Sequence, residues 1–283
     1  MSGEKELRES LFCCPVCGGP LRDGGRALRC PAGHSFDRAA QGYVNLLPAN
    51  KKHSAVPGDG KGMVAARRAF LEAGWYAPFS EALGRIASAC LEEVQAPVVL
   101  DAGCGEGYYT GRLAQVLGPR ARIAAFDISK EAVRLAAQRY KGVEFVVAGV
   151  FAIPMADGAA DCLVDIFAPM AQAEFLRVLR PGGFLLYAVP GPRHLFGLKR
   201  VLYEQPYENP VRQTDYPGFC FCRRVPVSGS IALSGGAEIG ALFAMTPYYW
   251  KTPRGGAEKL EQLNTLQTEI EFDFLIYQKK KEP

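Results

Sequence analysis

The sequence predicts an α/β fold, with helices on both faces of a doubly wound, mostly parallel sheet, preceded by a much smaller module. Three observations carry this prediction. From residue 79 onward, short apolar runs rich in β-branched residues alternate with segments of helical periodicity, as βαβ units require. One run, Val98-Val-Leu-Asp101, breaks into a turn with Gly103, Gly105 and Gly107 at alternate positions and then opens a helix. Before all of this, Cys14, Cys17, Cys30 and His34 form two close pairs in a segment too short to build its own core.

The elements follow in order. Met63 to Ala73 reads as a helix with Arg67 and Arg68 at its centre, and Phe79 to Glu93 as a second, with Leu83, Ile86, Ala87, Cys90 and Leu91 at helical spacing. After the glycine turn, Tyr108 to Leu117 continues as a helix and Arg122 to Asp127 is a buried strand ending in an acid. Ser129 caps the helix to Tyr140, with Glu131 in its first turn. Val143 to Ala148 is the third strand and Ala160 to Pro169 the fourth, running into a Phe-Ala-Pro exit. The helix Ala171 to Leu179, the turn Arg180-Pro-Gly-Gly183 and the strand Phe184 to Val189 complete the repeat. A helix is expected from Gly236, and Glu269 to Tyr277 alternates as a last strand, antiparallel and at the sheet edge. Phe36 to Pro48 is expected to be a strand closing the amino-terminal module.

Composition bounds the function classes. Of 283 residues, 48% are hydrophobic, enough for a full core, and a net charge of +4 leaves contacts with polyanions to local patches. No run has the apolar length of a membrane span, and Met1 to Ser10 lacks the apolar core of a signal peptide, so a cytoplasmic protein without a membrane partner is expected. In a reducing compartment the cysteine pairs read as a metal site. Two residues separate Cys14 from Cys17 and three separate Cys30 from His34, which is ligand spacing for tetrahedral zinc. Pro15, Gly18 and Gly19 allow backbone amides to turn toward the sulfurs. Cys13 is an alternative first ligand, but the two-residue spacing favours Cys14. With four protein ligands the zinc is structural.

The glycine turn lets a ligand lie against the backbone, and Asp127 is placed at the next strand end to accept both hydroxyls of a ribose. Ala148 and Gly149, ending the third strand, are the expected neighbours of a base. The turn is Gly-x-Gly-x-Gly and no second nucleotide half follows, which disfavours a dinucleotide dehydrogenase.

Asp101-Ala-Gly-Cys-Gly-Glu-Gly107, Asp127 and Arg180-Pro-Gly-Gly183 together resemble the Rossmann-like, class I S-adenosylmethionine-dependent methyltransferases. A closer resemblance runs from the zinc module almost to the end of the chain. The zinc pairs, Gly42-Tyr-Val-Asn-Leu-Leu-Pro48, Pro57-Gly-Asp59, Ala66-Arg-Arg-Ala-Phe-Leu71, Gly103-Cys-Gly-Glu-Gly-Tyr-Tyr-Thr110, Pro190-Gly-Pro-Arg-His-Leu195 and Met245-Thr-Pro247 are similar, in that order, to the RlmA-type guanine-N1 methyltransferases of large-subunit ribosomal RNA.

That resemblance implies methyl transfer from S-adenosylmethionine to N1 of a guanine in a hairpin loop of 23S rRNA, by a zinc-binding recognition domain joined to a methyltransferase domain, often as a homodimer. Some members confer macrolide resistance. The implied division is 1–48 for the zinc domain, 49–78 for a basic linker and helix, and 79–283 for the methyltransferase domain. Gly103, Gly105, Gly107 and Tyr108 are then expected around the methionine portion of the cofactor. Asp101 is read both as a ligand to its amino group and as an anchor of the turn. Guanine N1 carries a proton at neutral pH, so a base or a stabiliser of charge on O6 is expected, with Arg193 and His194 as candidates by position. His194 reads equally as a structural residue capping the next helix. Phe167 and Pro169 are expected to wall a splayed-out base, and Lys51, Lys52 and Arg67 to lie on the substrate side. The basic loop at Lys51, Lys52 and His53 reads equally as a solvated linker. Ile166-Phe-Ala-Pro-Met170 departs from the tyrosine and cysteine expected around Ala-Pro. Two other functions stay open: the same fold acting on a small molecule, and a non-catalytic zinc module that binds RNA.

Overall fold

A computed structural model describes residues 9–48, 58–211, 215–252 and 254–281. The amino-terminal module is a four-stranded antiparallel sheet of β1 (Glu9–Cys13), β2 (Pro20–Asp23), β3 (Ala27–Arg29) and β4 (Ser35–Asp37), in that order. The single strand expected over Phe36 to Pro48 is instead two. β4 stays in the module, whereas β5 (Val44–Asn45) leaves it to pair in parallel with β8 (Glu144–Val147) of the large sheet. A bare sheet edge presents unpaired amides and carbonyls, and β5 covers it while burying Val44 and Leu46. The module's Phe12, Leu21 and Leu28 pack into one core with Val146, Ile153 and Met155.

The large sheet also contains β6 (Val98–Ala102), β7 (Arg122–Asp127), β9 (Ala160–Ile166), β10 (Leu179–Pro190), β11 (Phe219–Ser234) and β12 (Thr265–Lys279). Its order is β11-β12-β10-β9-β6-β7-β8-β5. All neighbours from β10 to β5 run parallel, so the predicted doubly wound sheet is present with β6 at its centre. β12 is antiparallel as expected, but it does not lie at the edge. β11 pairs along its length, from Phe219 opposite Lys279 to Ser234 opposite Thr265. From the sequence only the stretch after Ser228 reads as strand-like; the earlier part of β11 is exposed on most of its length and carries no alternation, and Pro226 interrupts it further.

The helices are α1 (Lys61–Glu72), α2 (Ala77–Cys90), α3 (Tyr108–Leu117), α4 (Lys130–Arg139), α5 (Gln172–Val178), α6 (Phe196–Leu202), α7 (Gly236–Ala244), α8 (Tyr248–Lys251) and α9 (Arg254–Glu261). The side-chain oxygen of Ser129 accepts from the Ala132 N–H, the cap anticipated for α4. The Pro-Gly-Gly turn lies within β10, where the register against β9 slips between Leu179 and Phe184 and Gly182 adopts a φ of 77°. Among the described residues no helix is long and apolar enough to cross a membrane.

Candidate active site and metal centre

In the small module the Cys14, Cys17, Cys30 and His34 ligand atoms all lie within 4.8 Å of one another. Cys17 Sγ stands 3.7 Å from Cys30 Sγ, and His34 Nδ1 stands 3.6 Å from Cys14 Sγ and 3.3 Å from Cys30 Sγ. A zinc–sulfur bond of about 2.3 Å gives tetrahedral edges of about 3.8 Å, so the four atoms fit a structural zinc ion. The turn between the first pair closes through Gly18 N–H to Cys14 O at 2.8 Å, with Gly18 at a φ of 71°. Cys13 is outside the group: its backbone N–H donates to Pro154 O at 2.7 Å, at the seam with the large sheet.

A second site is a cleft of about 1180 Å³ above the carboxyl ends of the parallel strands. Its first half is the glycine turn. Gly103 N–H and Cys104 N–H both donate to Phe126 O at 2.9 Å, which draws the turn across the end of β7. Gly103, Gly105 and Gly107 have φ of 79°, 55° and 83°. A Cβ on Gly103 would stand 2.6 Å from Ala168 Cβ, and one on Gly107 2.9 Å from Ala136 Cβ. The cradle is therefore built for bare backbone.

Four carboxylates line this half: Asp59, Asp101, Glu106 and Asp127. Asp127 accepts Gly105 N–H at 3.0 Å and Ser129 N–H at 2.7 Å, while burial raises its carboxyl. Asp101 accepts the Thr110 hydroxyl at 2.5 Å, tying β6 to α3, and burial pushes its carboxyl up to about 7. Glu106 is 6% exposed, its carboxyl raised by burial, and its Oε2 has no hydrogen-bond partner among the described residues. Arg67 ion-pairs with Asp59 at 2.5 Å beside Gly105, so it belongs to this half of the cleft. A bare-backbone cradle, several acids to one cation and an orphaned buried carboxylate suit a ligand with cationic groups, and S-adenosylmethionine has both a sulfonium and an ammonium. Ala148 and Gly149 line the same half with Ile128 and Phe151. Of the two tyrosines after the turn, Tyr108 packs into the core under Arg112, and Tyr109 faces the cleft.

The second half is aromatic. Phe167 holds a left-handed φ of 61°, costly for a bulky side chain, and is nearly half exposed. Asp165 fixes that bend: its Oδ1 accepts Ala168 N–H at 3.0 Å, Oδ2 has no partner among the described residues, and burial pushes its carboxyl up to about 8. Phe167 lies 6.1 Å from Phe79, nearly parallel, and 6.4 Å from His194. Pro169 lines the cleft beside it.

His194 also lines the cleft and is buried. Glu271 N–H donates to its Nδ1 at 3.3 Å, which assigns the proton of the neutral ring to Nε2, 3.5 Å from the Tyr76 hydroxyl. Burial, reinforced by the Lys199 charge, holds its pKa down at about 3. His194 is thus a neutral donor and a weak base. Arg193 is turned away from the cleft: its guanidinium pairs with Glu208 at 3.0 Å and Glu269 at 2.9 Å and lies over Phe196. Lys51, Lys52 and His53 lie outside the described residues.

Tyr76, Tyr109, Tyr248, Trp250 and Asn209 also line the cleft. In the sequence, Trp75 and Tyr76 read either as a stack for a base or as packing of their helix onto the main domain, with packing the commoner fate. Phe272, beneath Phe167 and His194, is a buried strand residue with no distinguishing signal.

Residues 12–55 match the family described as RlmA, N-terminal, and residues 94–208 match a methyltransferase domain. A putative 23S rRNA (guanine-N(1)-)-methyltransferase of Micromonospora griseorubida is 43% identical over 202 residues, 65% of this chain and 67% of its own. The 23S rRNA (guanine(748)-N(1))-methyltransferase of Streptomyces fradiae is 40% identical over 190 residues, 67% of this chain and 66% of its own. A putative 23S rRNA (guanine-N(1)-)-methyltransferase of Bacillus subtilis is 29% identical over 276 residues, 94% of this chain and 96% of its own.

Proposed function

Because the chain belongs to the RlmA-type family of 23S rRNA (guanine-N1)-methyltransferases, we propose that it methylates N1 of a guanine in a hairpin loop of that RNA, with S-adenosylmethionine as donor. The observation that carries this reading is the continuity of one cleft from the glycine turn to Phe167 and His194. Donor and acceptor would meet there end to end, as an in-line displacement requires.

When bound, S-adenosylmethionine would supply an electrophilic methyl with a thioether as its leaving group, and the proton displaced from N1 would pass to water. The residues do the holding. Gly103, Gly105 and Gly107 admit the methionine portion, Asp127 is placed for the ribose, and Ala148 and Gly149 border the adenine. Phe167 and Pro169 offer faces to a base withdrawn from its stack. With Nδ1 already occupied, His194 suits polarising the base through Nε2–H and Tyr76 better than deprotonating it. Zinc holds the amino-terminal module folded, and residues 1–48 serve as the RNA-recognition domain, joined through 49–78 to the methyltransferase domain at 79–283. Lys51 and Lys52 are placed in that joining segment for phosphate contacts. A homodimer belongs to the same reading, and sedimentation of the purified protein checks it.

The test is to incubate the protein with labelled S-adenosylmethionine and 23S rRNA or hairpin transcripts lacking modification. Label in RNA, with a reverse-transcription stop at one guanine, is the expected result. Transfer to small metabolites and never to RNA would sink the proposal.

A further inference from the structure

Trp250 on α8 has an exposure of 74%, the highest of the large apolar side chains among the described residues, and it stands at the rim of the cleft that also holds Phe167. Nothing in the cofactor half uses it. Its mount is nevertheless packed. Tyr249 meets the indole edge-on at 4.9 Å, and Phe243 in turn lies 5.4 Å from the Tyr249 ring. The neighbouring Tyr248 is held by a buried ammonium: Lys199, fully buried, donates to Tyr207 O at 3.0 Å and Asn209 Oδ1 at 2.8 Å. The same Nζ lies 4.4 Å from the Tyr207 ring and 5.7 Å from the Tyr248 ring, and Tyr203 packs against both tyrosines. One buried cation thus fixes two walls of the cleft mouth, the 207–209 loop and α8.

A large indole left in water on a fixed helix, beside the exposed Lys251, is matched by a flat π-face next to a phosphate. We infer that Trp250 is a stacking platform for an unpaired nucleobase flanking the base that enters the cleft. This rests on the reading of the acceptor as RNA. Any base has a π-face, so the platform grips the strand without selecting its sequence, while Phe167 deeper in the cleft receives the target. Phosphate contact at Lys251 adds a salt-dependent component.

The chain has two tryptophans, so the platform has its own optical signal. Titration with an unmodified hairpin transcript is expected to quench the fluorescence of the wild-type protein, and the quench to vanish in Trp250→Phe. Trp250→Ala is expected to raise the KM for RNA about five- to hundredfold, the range seen for loss of one base–aromatic stack, with a smaller effect on kcat and unchanged S-adenosylmethionine affinity. Trp250→Phe, which keeps an aromatic face, is expected to restore much of the KM. A quench that persists in Trp250→Phe, or a Trp250→Ala KM within twofold of wild type, overturns the inference. The two readings fail separately: wild-type protein that binds the hairpin with Trp250-dependent quenching but transfers no methyl to RNA would sink the proposed activity and leave the platform standing.

Discussion

The two halves of the cleft are built by different means. The cofactor half comes from a nearly contiguous stretch, Asp101 to Thr110, with Asp127 and Ser129 at the next strand end. Backbone conformation, buried carboxylates and one arginine define it. The acceptor half gathers Tyr76, Phe167, His194, Phe272 and Trp250 from separate elements, and on its wall the polar atoms of His194 and Tyr76 are uncharged. A cofactor of fixed structure, carrying charge, can be met by fixed backbone and opposite charge. An aromatic base, which must enter and leave, is met by faces and neutral donors that cost less to desolvate.

The largest expected effect breaks this division at its tightest point. Gly103→Ala places a Cβ 2.6 Å from Ala168 on a residue with a φ of 79°, and Ala168 belongs to the loop that presents Phe167. Neither partner has a flexible tip to move aside. Methyl transfer is expected to fall by about a hundredfold or more, the scale associated with a displacement near 1 Å in an aligned reaction. Calorimetry with S-adenosylmethionine and a hairpin-binding assay on the same variant locate the damage. Loss confined to cofactor affinity keeps the halves separable, whereas equal loss of RNA affinity shows that the contact of Gly103 with Ala168 makes them one unit.

A smaller effect sharpens the comparison through pH, because His194 in one half and Asp101 in the other respond in opposite senses. His194 has its folded pKa depressed to about 3, so between pH 6.5 and 3 the unfolded chain binds a proton that the native chain refuses. Stability therefore falls on acidification through that window, by up to about 1.4 kcal/mol per pH unit from this group. Asp101 has its folded pKa raised to about 7, so its contribution is present at low pH and is lost as pH rises from the ordinary carboxylate value through 7. His194→Gln is expected to flatten the acid limb of a denaturation-versus-pH series and to recover about 2 kcal/mol of the wild-type loss at pH 5, leaving the limb near neutrality in place. An unchanged acid limb means that the imidazole is hydrated and free to charge.

Legibility followed the same division. β6, β7, the glycine turn and the Ser129 cap were readable because each is written in a few consecutive residues whose spacing has one structural meaning. The four metal ligands were readable for the same reason. β5 was not, since two residues that complete another sheet's edge have no pattern of their own. Nor was the acceptor wall. Phe272 looks like any core aromatic in sequence and Tyr76 reads there as packing more readily than as a base contact, and it is the strand order and the docking of β12 on β10 that bring them together. Asp165 sits at the end of an apolar strand, and only its hydrogen bond to Ala168 shows that it shapes the bend under Phe167.

The smallest expected effect concerns Arg193, adjacent to His194 in sequence yet opposite to it in environment. Its guanidinium is spent on Glu208 and Glu269, and its backbone N–H donates to Glu271 Oε2 at 2.7 Å. Glu269 also accepts Gly197 N–H at 2.9 Å, so the chain bend that carries His194 is held by several contacts besides the guanidinium. Half-exposed ion pairs of this kind are screened by water and salt and contribute little. Arg193→Ala is therefore expected to keep kcat/KM for RNA methylation within about fivefold of wild type, with a slope of KM against salt close to the wild-type slope. A guanidinium that leaves its two carboxylates to grip an RNA phosphate would behave otherwise: the alanine variant would lose salt sensitivity and most of its RNA affinity together. That outcome would move Arg193 into the acceptor half as a phosphate contact.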